Sequence, residues 1–460
     1  MTVPVESAVV SFGAAAAPAI LGSCLPDENY GRFSILACDP VEVFSVSHLR
    51  SGCPLHALRD RVASYPTVCG PAAGLPFVGG WIGFITYEAG LTIERIECTT
   101  RHEPPLPLLR FCLYDSAAIY DHQARQWYLV AVDWPNPLAR HRPPVADRLA
   151  ALRMRLEDAA SIDPTIPPPT PATAPPRPNM SHEAYLAKVD RAKRYIAAGD
   201  IYEVNLTQRF TTHTDASPLS VYRRLCRSSP SPHAAFLQWD DVAVVSCSPE
   251  LFLRLSDGHV VTRPIKGTRP RVGDTRMDAA YRRELVESEK DRAELTMIID
   301  LLRNDLGRVC SFGSVRVIRA DEIEEHPTVF HRVATIEGDL RPEHDWLDLL
   351  LATFPGGSIT GAPKIRAIQI IDELEPTARG VYCGSIGLIG LDGSMSLNIA
   401  IRTMVQSGSV VNLYAGGAIV ADSMPEEEYN EIIAKARGML LALACEAPVI
   451  SPLPQEVTIA

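Results

Sequence analysis

The sequence lacks any apolar run near the ~20 residues that a bilayer-spanning helix needs, so no membrane span is expected. It lacks a basic stretch followed by an apolar core after Met1, so no secretory signal is expected either. It has no lysine- or arginine-rich tract, and a net charge of −11 argues against nucleic acid as a partner. Eleven cysteines are scattered and never spaced as CxxC. That pattern fits reduced thiols in the cytoplasm better than disulfides or a zinc site. No internal repeat or catalytic triad is visible.

What is present is the composition of a globular protein: 460 residues, 46% apolar and 22% charged. The length suffices for one large or two to three ordinary domains. A proline-rich stretch without periodicity, 163–178, reads as a semi-rigid, surface-running connector. It divides the chain into an amino-terminal region (1–160), a linker (161–180), a main region (181–446) and a tail (447–460). Alternating and apolar runs predict strands over 77–90, 111–122, 126–134, 201–210, 233–238, 241–247, 250–255, 381–390, 396–405 and 409–421. A helix is expected from Ser181, with Tyr185, Val189, Ala192 and Ile196 on one face and Gly199 as its stop. Further helical patterns cover 278–304, 344–353, 362–374 and 425–445. The mixture indicates an α+β or complex α/β fold rather than a regular doubly wound sheet.

Several constellations carry chemistry. In SEKDRAEL, Asp291 and Glu294 share one helix face; in PEEEYNEIIAKA, Glu428 and Glu431 do the same, with Lys435 four residues beyond Glu431. One carboxylate from each helix would suit a hard divalent ion such as Mg²⁺, although solvated helix faces have the same spacing. FPGGSITGAPKIRAI is a Gly-rich turn running into a helix, where Ser358, Thr360 and free amides could hold an anion. It is not a Walker loop, because the Gly-Lys-Ser/Thr order is absent. Glu250 follows a Ser-Pro step at the head of an apolar run, a setting that raises a carboxyl pKa and suits a general acid. His331 is a possible hydrogen-bond donor, and Tyr382 and Arg402 fall in expected strands. Lys266, in PIKGTRPR, is either a cation for a carboxylate or, once neutral, a nucleophile.

Taken in order, GDIYEVNLTQRF, SPELFL, PIKGTRPR, SEKDRAELTMIIDLLRNDLGRV, FPGGSITGAPKIRAIQIIDELEP, RGVYCGSIG, NIAIRT and GGAIVADSMPEEEYNEIIAKA resemble the chorismate-utilising enzymes. That family includes anthranilate-, aminodeoxychorismate-, isochorismate- and salicylate-forming members. The resemblance covers almost all of 181–445 and, more loosely, 18–134. It implies two β-sheets in a sandwich surrounded by helices. It further implies that Glu294 and Glu431 ligate Mg²⁺, with Asp291 and Glu428 as outer carboxylates. Arg402, Tyr382, Lys435 and the amides at Gly416 and Gly417 match positions that hold the pyruvyl carboxylate; Ser358 and His331 line the ring side. Glu250 matches the general acid, and Lys266 matches a proposed nucleophile whose pKa must be lowered by burial or by Arg263, Arg269 or the metal.

Lysine in PIKGT resembles the para-aminobenzoate branch, since anthranilate-forming members typically carry alanine there. The implied reaction joins chorismate and ammonia to give 4-amino-4-deoxychorismate, with a separate glutaminase (glutamine amidotransferase) partner supplying ammonia and another enzyme acting afterwards. Anthranilate formation and a silent ligand-binding subunit are the alternatives. Glu203 stands where glutamine is frequent in this family and where hydroxylating members carry a lysine; Ala418 and Met424 also depart from the usual pattern. The region around Ser23 matches the tryptophan-binding part of anthranilate synthase, and at most a structural or vestigial tryptophan site is expected there.

Overall fold

The computed structural model describes residues 3–25, 30–47, 52–68, 74–100, 105–135, 138, 142–168, 172–327 and 329–445. The tail expected at 447–460 lies outside them. Two antiparallel sheets organise the chain. The eleven-stranded sheet runs Gly361–Ala362, Glu203–His213, Val410–Ile419, Thr403–Ser407, Val242–Ser248, His233–Trp239, Ala19–Gly22, Phe33–Ala37, Ser116–Asp121 and Gln126–Ala131, with Ala174–Pro178 beside Glu203–His213. The ten-stranded sheet runs Ile265–Pro270, Val329–Asp339, His259–Arg263, Leu251–Ser256, Met395–Asn398, Ser385–Gly390, Gly80–Ile85, Leu109–Tyr114 and Glu42–Val46, with Arg316–Glu325 beside Val329–Asp339. Both sheets draw strands from either side of the proline-rich stretch.

The sheets face each other through an apolar layer. Ile82, Phe84 and Leu388 of one meet Ile35, Ile119 and Val244 of the other, and Phe84 stacks on Trp239 with ring centroids 5.5 Å apart. Period-two alternation sends the intervening residues Trp81 and Ile85 into the second core cluster. Strand Gly80–Ile85 is therefore buried on both faces, which is why it reads as a near-continuous apolar run. Helices cover the outer surfaces. His182–Ala197 buries Tyr185, Val189 and Ala192, is capped by Ser181 Oγ accepting from Ala184 N, and is followed by Gly199 at φ +80°.

Several expected elements are broken or shortened. The helical pattern over 278–304 is two helices, Thr275–Glu287 and Glu289–Gly307. Ser288 ends the first in an extended conformation and caps the second, its Oγ accepting from Asp291 N at 3.2 Å. The strand over 111–122 splits at Asp115, where the chain passes from the ten-stranded to the eleven-stranded sheet. The strand over 396–405 splits likewise between Asn398 and Thr403, leaving Arg402 outside any strand at φ +50°. Tyr382 also lies outside a strand, because that run begins only at Ser385. The stretch expected over 77–90 leaves the sheet after Ile85 and turns into helix Tyr87–Leu91. The proline-rich connector is partly an edge strand, a place where missing amide donors cost little, and Arg224 donates to the Pro167 and Pro168 carbonyls.

A buried ion pair fixes the turn beside the Gly-rich loop. Arg379 and Glu375 are each at least 95% buried and meet at 2.7 Å. Arg379 also donates to the carbonyls of Ile359 and Asn205, while Glu375 accepts from Thr207 N. Removing one partner leaves an uncompensated charge in the core. Glu375→Ala is expected to lower the unfolding free energy by about 3–5 kcal/mol in chemical denaturation. Asp300→Ala, at the exposed Asp300–Arg303 pair, is expected to leave the midpoint nearly unchanged.

Candidate active site

Several of the expected site residues gather beside the point where the chain crosses between sheets. Glu250 sits at the step from Val242–Ser248 to Leu251–Ser256, after Pro249, which cannot donate to a ladder. Its carboxylate accepts from Ser358 Oγ at 2.5 Å, and Ser358 lies in the short 3₁₀ turn Gly357–Ile359. Burial pushes the Glu250 pKa up to about 7, against the lowering effects of Ser358 and Lys266. A carboxyl that keeps its proton near neutrality is suited to give it away.

Lys266 is buried on strand Ile265–Pro270, 2.6 Å from Glu203 Oε1 and 4.0 Å from Glu294. The lowered pKa expected for this lysine is not what its surroundings produce. Burial disfavours the ammonium, but Glu203 and Glu294 outweigh burial and its pKa is raised. The arginines expected to repel its proton point elsewhere: Arg263 binds Thr335 and Glu324, and Arg269 binds Glu284 and Asp291. Glu203 is the residue that sequence patterning undervalued. It is fully buried, and among the described residues its Oε2 has no hydrogen-bond partner, so the site holds an acceptor with spare capacity beside the lysine. Gly267 allows the turn that follows: at φ +84°, an added Cβ would lie 2.8 Å from Asp291 Cγ.

The two carboxylate-bearing helices meet across this pocket. Glu294 is buried, and burial holds its pKa up at about 7 while Lys266 and Lys290 pull it down. Glu428 takes hydrogen bonds from Lys290 at 3.2 Å and Ser423 Oγ at 2.6 Å. Glu431 pairs with Lys435 at 2.5 Å, which lowers its pKa. Asp291 is bound by Arg269. Among the described residues, no three of these carboxylates converge within 4.8 Å. Lys290 lies between the helices and interacts with Glu428, Glu294 and Glu431, so a side-chain cation occupies the charge-balancing role there. An all-carboxylate donor set that attracts a cation fits a hard divalent ion. Lys290 shares a helix face with Glu294, an i,i+4 signal that was readable in the sequence.

The remaining expected residues divide into two groups. His331 is buried, and burial together with Arg402 pushes its pKa well below the usual histidine value, so the ring is neutral. Its Nδ1 lies 2.9 Å from Thr268 Oγ1; a hydroxyl donating there leaves the ring proton on Nε2. Arg402 donates to Ser229 Oγ at 3.0 Å, and Lys435 donates to the Gly416 carbonyl at 3.0 Å. At Gly416 an added Cβ would lie 2.8 Å from the Leu206 carbonyl, and at Gly417 it would lie 3.1 Å from Glu428, so both glycines permit close approach to the carboxylates and the neighbouring strand. Tyr382 is buried and stacks on Tyr414 at 5.2 Å. By contrast, the Thr360 hydroxyl is engaged by the Gly356 carbonyl. Ser23 lies at the end of a different strand, its amide donating to Ser34 Oγ at 3.1 Å and its buried hydroxyl without a partner among the described residues.

An activity that uses Glu250 as its acid should decline as pH rises through about 7, because the proton is lost there. Ser358 lowers that pKa, so Ser358→Ala should move the alkaline limb of the pH–rate profile to higher pH. An unmoved limb would assign it to another group.

Comparison with known proteins gives this geometry a family. A model described as chorismate binding enzyme matches residues 23–441. Aminodeoxychorismate synthase component 1 of Klebsiella aerogenes is 38% identical over 433 residues, 92% of either chain. Anthranilate synthase component 1 of Thermus thermophilus is 40% identical over 391 residues, 85% of this chain and 82% of that one. The crystal structure of anthranilate synthase component I from Streptococcus pneumoniae superposes with a TM-score of 0.76 at 31% identity, covering 90% of this chain and 93% of that chain. The two-sheet architecture and the match along nearly the whole chain lead to one conclusion: this protein belongs to the chorismate-binding enzyme family.

Proposed function

We propose that this chain is the chorismate-binding component of an aminodeoxychorismate synthase, forming 4-amino-4-deoxychorismate from chorismate and ammonia. The observation that carries the reading is Lys266: a buried amine flanked by a proton acceptor, Glu203, and lying near a proton donor, Glu250. A direct exchange of hydroxyl for ammonia would use that lysine only as a cation for a substrate carboxylate, and would not need an acceptor and a donor of protons on either side of it. The identity to aminodeoxychorismate synthases supports the same choice, although anthranilate synthases are similarly close.

In the proposed reaction Glu203 takes a proton from the Lys266 ammonium, and the freed amine attacks C2 of the ring. Glu250 gives its proton to the departing 4-hydroxyl, so water leaves as the C2–N bond forms. Ammonia then adds at C4 and expels the lysine amine, which recovers a proton. Splitting the exchange into two displacements shields the second step from water, the more abundant competitor. Arg402, Tyr382 and Lys435, with the amides at Gly416 and Gly417, would hold the pyruvyl carboxylate. Ser358 and His331 would line the ring, and Thr360 would shape the loop that carries Ser358. Glu294 and Glu431 would hold Mg²⁺, with Asp291 and Glu428 beyond them. Bound there, the ion would supply positive charge to offset the ring carboxylate. Ammonia would come from a separate glutaminase subunit in the cytoplasm, in keeping with the component 1 designation of the relatives.

The experiment is incubation of the purified chain with chorismate, Mg²⁺ and ammonium. An amino product that keeps its enolpyruvyl group is expected; pyruvate release with anthranilate fluorescence would overturn the reading. Lys266→Ala should lower turnover with ammonia by roughly 10²-fold or more, and unchanged turnover would remove the lysine from the mechanism.

A further inference from the structure

Cys24, Cys226 and Cys247 come from three separate elements, yet their sulfur atoms all lie within 4.8 Å of one another. Cys24 follows strand Ala19–Gly22, Cys226 lies in the last turn of helix Pro218–Ser228, and Cys247 is near the end of strand Val242–Ser248. Backbone bonds hold the convergence in place. Cys24 N donates to the Ser231 carbonyl at 3.0 Å, and Cys247 N donates to the Arg402 carbonyl at 3.1 Å. All three thiols are free, and the Cys226 and Cys247 sulfurs are 3.6 Å apart.

That spacing is well beyond a disulfide bond of about 2.05 Å. It is close to the sulfur–sulfur separation of thiolates bound about 2.3 Å from one cation, ~3.8 Å for a tetrahedral and ~4.0 Å for a trigonal site. Among the described residues no histidine or carboxylate joins the cluster within 4.8 Å. An all-sulfur donor set selects soft cations and rejects Mg²⁺. Cys247 is buried while Cys24 and Cys226 are half-buried, so the set is sheltered but reachable.

The local chemistry favours one ionised sulfur between two thiols: the contact with Cys226 pushes the Cys24 thiol well up, and burial does the same to Cys247. Burial pushes the Cys226 thiol up, but hydrogen bonds from Cys24, Cys247 and Tyr222 outweigh it and hold Cys226 well below the ordinary thiol range. Arg402, whose guanidinium interacts with Cys247, offsets negative charge on the cluster. We propose that Cys24, Cys226 and Cys247 form a three-sulfur site for one thiophilic cation of the Zn(II) or Cu(I) class. None of its ligands lies in the proposed catalytic set; the site adjoins that set through Arg402, whose carbonyl accepts from Cys247 N.

The test is titration of the reduced, metal-stripped full chain with Cd²⁺. Near-ultraviolet thiolate-to-cadmium absorption is expected to saturate at one ion per chain. It should be lost in Cys226→Ser and in Cys24→Ser, but retained in Cys98→Ser, which removes an exposed thiol outside the cluster. The thermal midpoint should rise with Cd²⁺ in the unmodified chain and not in Cys24→Ser. No saturable signal, or a signal that survives both cluster substitutions, would overturn the proposal. The half-buried Cys24 position keeps the test decisive if Cys226→Ser fails to fold.

Discussion

Charge buried between two sheets must be balanced, and most of this architecture can be understood as ways of balancing it. A carboxylate removed from water is costly unless a cation and hydrogen bonds replace the lost hydration. At Asp115, where the chain changes sheets, Arg142, Arg148 and Trp134 Nε1 all converge on the carboxylate. At Glu375, Arg379 and the Thr207 amide do the same. These two networks engage their carboxylates from several sides, and each ties loop to strand. They form the rigid frame on which the pocket is built.

The Lys266 cluster follows the same rule but leaves it incomplete. Three carboxylates, Glu203, Glu250 and Glu294, act on one ammonium, and Glu203 Oε2 has no partner among the described residues. Two of those carboxyls, Glu250 and Glu294, are pushed up to about 7 by burial. A pocket with spare acceptor capacity and protons held near neutrality can move a proton without large reorganisation. The frame elsewhere makes that arrangement tolerable: Ser358 is fixed by the loop that Arg379 supports through the Ile359 carbonyl.

The sequence made the strands readable wherever one face alternates, and the helices wherever a 3.6-residue stripe and a cap coincide, as at Ser181. It hid the crossings. In FCLYDSAAIYDH and SLNIAIRT the apolar rhythm continues while the chain changes sheets, and only Asp115 and Arg402 mark the break. The single helix expected over 278–304 failed because Ser288 is neutral in a helix interior yet strong as a cap. Among the site residues, Glu250, Lys266 and Glu294 were legible from motif order, and they lie together. The raised pKa of Lys266 was not legible, because it depends on Glu203, a residue 63 positions away. The cysteine cluster was equally hidden, since no short spacing announces a site assembled from three elements.

The central claim is that Lys266 forms a bond to the substrate, and the most direct test is mass spectrometry of the intact chain. The chain would be mixed with chorismate and Mg²⁺ without ammonia. The account predicts an adduct with the mass of chorismate less one water, located on the peptide carrying Lys266 and removed on adding ammonium. An unmodified chain that nonetheless gives amino product once ammonium is supplied would contradict it, as would an adduct located on any other residue.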